Sequence, residues 1–280
     1  MNSLQGAQGL KLFSCGAADG QLVVYFHGVP GAPAECALFD LQGQVDGLSF
    51  VCLDRFSADS SLRGEAYYRA LAAEILACAG TAQVHLVGFS IGAFVALQVC
   101  RHLPDQVASL NLISAAAPLE AGDFLQGMAG RQVFSLARRW PMLFRLLSRW
   151  QAVLAKFAPK LLFNLLFASA QGADRELSAD PEFQAQSMAQ LRSCFAGRLA
   201  GYVREVCSYV LPWAASLAAV TVNTRIWQGA EDNWSPQGMA EYLRAALAGG
   251  EPVVLMPGLS HYSCLQQAVP LVCAAIRQGA

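Results

Sequence analysis

Gln83-Val84-His85-Leu86-Val87-Gly88-Phe89-Ser90-Ile91-Gly92-Ala93-Phe94-Val95-Ala96-Leu97 contains no Asp, Glu, Lys or Arg. Its first seven residues read as a fully buried strand and its last residues as a buried helix, with a glycine-flanked serine between them. A serine held on a sharp strand-to-helix turn must adopt strained backbone angles and brings the strand and helix close together. Small residues are therefore needed two positions on either side, and Gly88 and Gly92 supply them, with Ala93 keeping the next position small. This context makes Ser90 a candidate nucleophile. The competing interpretation is a glycine-lined turn with a solvent-facing serine.

Similar apolar runs lie on both sides: QLVVYF at 21–26, LSFVCL at 48–53, VASLNLI at 107–113, VTVNTRIW at 220–227 and PVVLM at 252–256. Helical patterning over 67–79 and 93–103 separates some of them, and the second of these helices stops before Pro104. Strands alternating with helices imply an α/β protein with a mostly parallel sheet, covered by helices on both faces. Residues 119–209 break this alternation, because they are long, helical in composition and lie between two expected strands. The expected organisation is a core made of residues 1–118 and 210–280, with a helical lid inserted at 119–209. Within the lid, the segment 124–173 holds Leu, Phe and Trp with seven basic residues from Arg131 to Lys160 and no Asp or Glu. It is amphipathic and basic.

The composition narrows the possible functions. Of the 280 residues, 55% are hydrophobic and 14% charged, which excludes a disordered or coiled-coil chain. A formal net charge of -1 provides no field for gripping a phosphate backbone, so no nucleic-acid partner is expected. The nine cysteines are scattered without a C-x-x-C pair or metal-ligand spacing, and they read as reduced, buried thiols with no metal site. The odd count and the absence of a basic-then-apolar leader in MNSLQGAQGLKLF make the cytoplasm the expected compartment. Two uncharged stretches, 75–100 and 206–224, have the length of a membrane span. Each is interrupted by turn residues and reads as a strand plus a helix.

A serine nucleophile needs a base and an acid to orient it. Of the four histidines, His85 lies inside a strand, His102 near a helix end, and His27 before a glycine turn that it orders. His261, in Pro257-Gly258-Leu259-Ser260-His261, follows the last strand, where the base belongs in the order Ser, acid, His. The acid is expected after VTVNTRIW, in Gly229-Ala230-Glu231-Asp232-Asn233-Trp234. Asp232 is favoured, and Glu231 and then Glu120 remain alternatives. Donors for a developing oxyanion are expected at the backbone N–H groups of Ile91 and Val29, since Pro30 has none to give. Phe89 and Trp234 flank the candidate groups and are expected to line a substrate pocket, although Trp234 packed in its loop is an equal alternative.

Taken in order, HGVPG after a strand, GFSIG after a strand, GAED after a strand and GLSH near the end resemble the α/β-hydrolase family, over residues 20–118 and 210–280. The resemblance implies the α/β-hydrolase fold with a lid, a Ser90, His261, Asp232 triad, and an acyl-enzyme mechanism without metal or organic cofactor. The substrate expected is an ester, thioester or lactone with a hydrophobic acyl or aryl group. The alternatives are carbon–carbon bond hydrolysis or a lyase reaction on the same triad, or a non-hydrolytic ligand-binding member of the fold. The basic lid is a candidate contact for an acyl-carrier partner or a membrane surface, and a solvated outer face is the competing interpretation. The HGVP loop is also similar to that of epoxide hydrolases and dehalogenases. Those enzymes use an aspartate nucleophile, whereas this chain has Ser90. One departure is the loop Asp54-Arg55-Phe56-Ser57-Ala58-Asp59-Ser60-Ser61, where many relatives carry Asp-Arg-Pro-Gly-x-Gly-x-Ser. The missing glycines leave that loop's role open.

Overall fold

The computed structural model describes residues 2–6 and 9–279. Eight strands form one sheet: β1 (Asn2–Gln5), β2 (Lys11–Gly16), β3 (Gln21–Phe26), β4 (Leu48–Leu53), β5 (Val84–Phe89), β6 (Val107–Ile113), β7 (Thr224–Gly229) and β8 (Val254–Met256). Their spatial order is β1-β2-β4-β3-β5-β6-β7-β8. β2 pairs antiparallel with β1 and with β4, and every pair from β4–β3 to β7–β8 is parallel.

The central strands are mostly apolar because both of their faces are covered, and the polar His85 of β5 and Ser109 of β6 satisfy one another inside the sheet. On β3, Val23 and Tyr25 join one core with Phe50, Val87, Trp227 and helix α11 (His261–Gln278). Val24 and Phe26 point the other way, into a second core with α2 (Gly64–Ala79), α3 (Ile91–Cys100) and α10 (Gln237–Ala246). This period of two follows from the pleat. α1 (Asp40–Asp46) packs against α11 beside the first core.

Between β6 and β7 the chain leaves the sheet through α4 (Arg131–Arg139), α5 (Pro141–Phe157), α6 (Pro159–Leu166), α7 (Asp174–Ala179), α8 (Pro181–Phe195) and α9 (Leu199–Tyr209). This helical insertion returns onto the loop after β4. A Cβ on Gly201 of α9 would overlap the Phe56 backbone, so the helix and loop lie in direct contact. Arg55 and Glu205 form a fully buried pair at 2.9 Å, and Arg198 pairs with Asp54 at 2.8 Å. Arg204 donates to the carbonyls of Arg55 and Asp59. The 54–61 loop, which departs from the family's glycine pattern, is thus the anchor for the insertion's last helix.

The strand expected from Val220 begins instead at Thr224. The Val220 N–H is already bound to Leu217 O, closing a 3₁₀ turn over Ala214–Ala219. β2, with a half-buried edge pattern, carries too weak an apolar signal to stand out in the sequence. All nine cysteines are free, and eight of them are buried or half-buried. No helix among the described residues is long and apolar enough to cross a membrane.

Candidate active site

β3 is followed in sequence by β4 on one side of it and β5 follows on the other, so the loops leaving β3 and β5 diverge. Such a divergence opens a crevice at the carboxyl ends of a parallel sheet. His27-Gly28-Val29-Pro30-Gly31 and Gly88-Phe89-Ser90-Ile91-Gly92 occupy these two loops.

Ser90 has φ 56° and ψ −128°, in a backbone region that L-residues avoid. The flanking glycines are required by close approach. A Cβ on Gly88 would sit 2.6 Å from Ala93 Cα, and one on Gly92 would overlap the carbonyl oxygens of Phe26 and His27. The small-residue rule inferred from the sequence is therefore a statement about helix α3 lying directly on β3 and β5.

Ser90, His261, Val29, Ile91, Phe89 and Trp234 all border one enclosed cavity. His261 is the first residue of α11 and 3% exposed. Its Nδ1 lies 2.8 Å from Asp232 Oδ2. With Nδ1 facing the carboxylate, the other ring nitrogen is left for the cavity. Asp232 is buried, and its Oδ1 accepts the N–H groups of Trp234 and Ser235, each at 2.8 Å. Three hydrogen bonds hold the carboxylate in one orientation. Glu231, the neighbouring alternative, points its side chain to solvent, and Glu120 accepts the Trp213 and Ala214 N–H groups away from the cavity. No hydrogen bond joins Ser90 Oγ to His261 in this closed arrangement, and such bonds are often long until a ligand is bound.

Ile91 opens helix α3, so its N–H has no acceptor within the helix. The Val29 loop is fixed from below. The buried Glu35 carboxylate accepts the Gly28 N–H at 3.0 Å and the Tyr25 hydroxyl at 2.6 Å, and Arg55 donates to the His27 carbonyl at 3.1 Å. Burial pushes the Glu35 carboxyl above its usual range, and the two hydrogen bonds oppose that shift. His27 Nδ1 donates to the Gly28 carbonyl at 2.8 Å. Burial, reinforced by the Arg55 charge, keeps this ring neutral, with its pKa well below that of an ordinary histidine. His85 bonds Ser109 within the sheet, and His102 pairs with Glu65 near a helix end.

The cavity wall is mostly apolar. Phe89 lies 4.7 Å from His261 between ring centres, and Trp234 lies 6.3 Å from it. Met128, Phe134 and Leu166 of the insertion close the top, and the space open to a water-sized molecule is about 10 Å³, room for roughly one water. A wider cleft of about 830 Å³ lies between α2, α3, α5 and α9, and it shares no residue with this cavity. Size alone does not make it the reacting site, because the candidate nucleophile and base face the small cavity.

Asp174 of α7 has no motif to mark it in the sequence. It is buried, and its two carboxylate oxygens accept the N–H groups of Tyr262 and Ser263 at 3.0 and 2.7 Å. Together with the Ser260–Ser263 capping box, it holds the helix start on which His261 sits. The insertion therefore reaches down to the turn that presents His261. No group of three or more potential metal-ligating side chains occurs among the described residues.

The chain belongs to the alpha/beta hydrolase family, whose sequence model matches residues 23–276. A putative lipase from Acinetobacter baumannii AYE is similar in structure, with a TM-score of 0.71 at 16% identity over 98% of this chain and 89% of that one. A thermophilic esterase from Thermogutta terrifontis gives a TM-score of 0.65 at 19% identity over 99% and 96% of the two chains. A bromoperoxidase from Bacillus anthracis gives 0.68 at 14% identity over 98% of each. At these identities the likeness extends to the fold. No curated protein matches the chain in sequence.

Proposed function

We propose that this protein is a serine hydrolase that cleaves an ester, thioester or lactone of a hydrophobic acyl or aryl substrate through an acyl-enzyme on Ser90. The observation that carries the reading is the buried 2.8 Å His261–Asp232 hydrogen bond, with His261 bordering the same cavity as a serine held at positive φ.

In the forward half-reaction, Ser90 Oγ attacks the substrate carbonyl carbon while His261 Nε2 takes the hydroxyl proton. Asp232 holds the ring in the required tautomer and stabilises the imidazolium. The carbonyl electron pair moves to oxygen, and the Val29 and Ile91 N–H groups receive it. Collapse of the tetrahedral adduct breaks the bond to the leaving alkoxide or thiolate, which takes the proton from His261. Water then attacks the acyl-enzyme carbonyl, His261 again accepts and returns a proton, and the carboxylic acid leaves with Ser90 restored. The apolar wall of Phe89, Phe134 and Leu166 favours a hydrocarbon acyl or aryl group. With so little free space, substrate enters only when the overlying helices move, so the insertion acts as a lid.

The test is pre-steady-state hydrolysis of p-nitrophenyl esters and acyl thioesters of graded chain length, with mass spectrometry of the quenched protein. The expected result is a burst of product equal to the enzyme concentration and an acyl mass added to the peptide containing Ser90, with medium or long chains preferred. No burst and no added mass across the panel would overturn the proposal.

A further inference from the structure

The outer surface of the helical insertion breaks the usual rule for a solvent-facing helix. α5 turns Phe144, Ser148 and Ala155 inward. On the opposite side, where polar residues belong, stand Met142, Leu146, Trp150, Val153 and Phe157, each at least half exposed. Their spacing of four, four, three and four residues makes one continuous stripe along the helix. α6 extends it with Leu161 and Leu165. Nine of the sixteen exposed large apolar side chains among the described residues fall within 140–165, under a tenth of the chain, so the exposure is concentrated in a patch.

The charge around the stripe identifies what covers it. Arg145, Arg149 and Lys156 run along one edge of α5, and Arg138, Arg139 and Lys160 lie at its ends, all exposed. None of the six has a carboxylate partner among the described residues. A second copy of the chain seated here would bring these unpaired cations together. An acidic protein would pair best with cations at the crown of the surface, but the crown is apolar and the cations are at its margin. An apolar crown with tryptophan and a basic margin fits a lipid surface, with acyl chains above and anionic headgroups at the edge.

We propose that the outer face of α5 and α6 docks on an anionic phospholipid bilayer. The inner faces of the same region, through Phe134 and Leu166, close the Ser90 cavity, so the docked face and the cavity cover are two sides of one layer. The docking stands independently of the chemistry proposed above. The consequence that apolar substrate reaches Ser90 from the membrane rests on that chemistry.

The experiment is co-sedimentation of the full chain with vesicles of phosphatidylcholine alone or mixed with phosphatidylglycerol, alongside tryptophan emission and the oligomeric state in solution. The wild type and Ser90→Ala should both bind the anionic vesicles with a blue-shifted emission, and bind phosphatidylcholine far more weakly. About 0.5 M salt should weaken binding. The double variant Trp150→Gln/Phe157→Gln should lose binding about tenfold or more, with its melting temperature and its hydrolysis of a water-soluble short ester unchanged. Arg145→Gln/Arg149→Gln should lose roughly fivefold per charge on anionic vesicles alone. Absence of vesicle binding would overturn the proposal, as would binding that survives the Trp150/Phe157 change. A wild-type dimer that this change makes monomeric would assign the face to self-association instead. Because Ser90→Ala is scored by binding, failure of docking and failure of the hydrolase reading give different results.

Discussion

The loops at the carboxyl ends of β3, β5 and β7 and the helical insertion above them are held by opposite kinds of constraint. The loops are fixed by contact. Gly88 and Gly92 leave no room for a methyl group, and Asp232 and Glu35 each accept more than one hydrogen bond. The insertion is fixed by apolar packing of its inner face and by long-range polar pairs such as Arg55–Glu205, Arg198–Asp54 and the Asp174 cap, while its outer apolar side has no protein partner among the described residues. The difference sets a candidate site held by tight backbone contacts beneath a helical layer that is packed on its inner side alone.

The largest effect should come from the centre itself. Ser90→Ala is expected to cut ester hydrolysis by a factor on the order of 10⁶ while leaving the urea midpoint nearly unchanged, because the hydroxyl holds nothing else in place. An active Ser90→Ala protein would show that the contact-fixed loops are not the reacting centre.

Next, Glu205→Ala should destabilise the fold by about 3–5 kcal/mol, because it leaves the wholly buried Arg55 guanidinium without its counter-charge. Hydrogen exchange should show α9 and the 54–61 loop opening together. A small, local change in urea denaturation would mean that the insertion has other strong anchors.

Much of the contact-fixed half was legible in the sequence. QLVVYF, LSFVCL and VASLNLI coincide with β3, β4 and β6, since strands covered on both faces leave nearly continuous apolar runs. GFSIG was legible because its glycine spacing is itself a packing requirement. The anchors were not legible. Arg55 meets Glu205 across 150 residues, and Asp174 meets Ser263 across 89, and no periodicity or local motif encodes such a pairing. Asp232 was favoured over its neighbour Glu231 as the acid, with no local sequence pattern to separate the two. The structure supplies the physical reason: in the loop after β7, which ends at Gly229, Glu231 is turned to solvent while Asp232 is buried against His261.

Asp174→Ala should have a smaller effect, about 1–2 kcal/mol of stability lost with the helix cap. It should also lower kcat more than it raises KM, and Asp174→Asn should recover part of the loss. A change in stability with kcat intact would separate the insertion from His261 and break the link between the two regions.

The smallest effect is that of pH. Burial holds His27 and His85 below the ordinary histidine value of 6.5, so the unfolded chain takes up protons that the native chain refuses. Their contribution is complete above that value and is lost as pH falls through the depressed native pKa values. Glu35, with its pKa raised by burial, works in the opposite sense, but its two hydrogen bonds oppose that rise, whereas burial and the Arg55 charge together take His27 well below its ordinary value. The urea midpoint should therefore be lower at about pH 5.5 than at about pH 7.5.

The most direct test of the relay is the rate of covalent labelling by a fluorophosphonate, with the modified peptide mapped, in the wild type, His261→Ala and Asp232→Asn. The account predicts a single label on Ser90, nearly abolished in His261→Ala and strongly slowed in Asp232→Asn, with all three proteins folded. A label elsewhere, or Ser90 labelled at an undiminished rate without the imidazole, would contradict it.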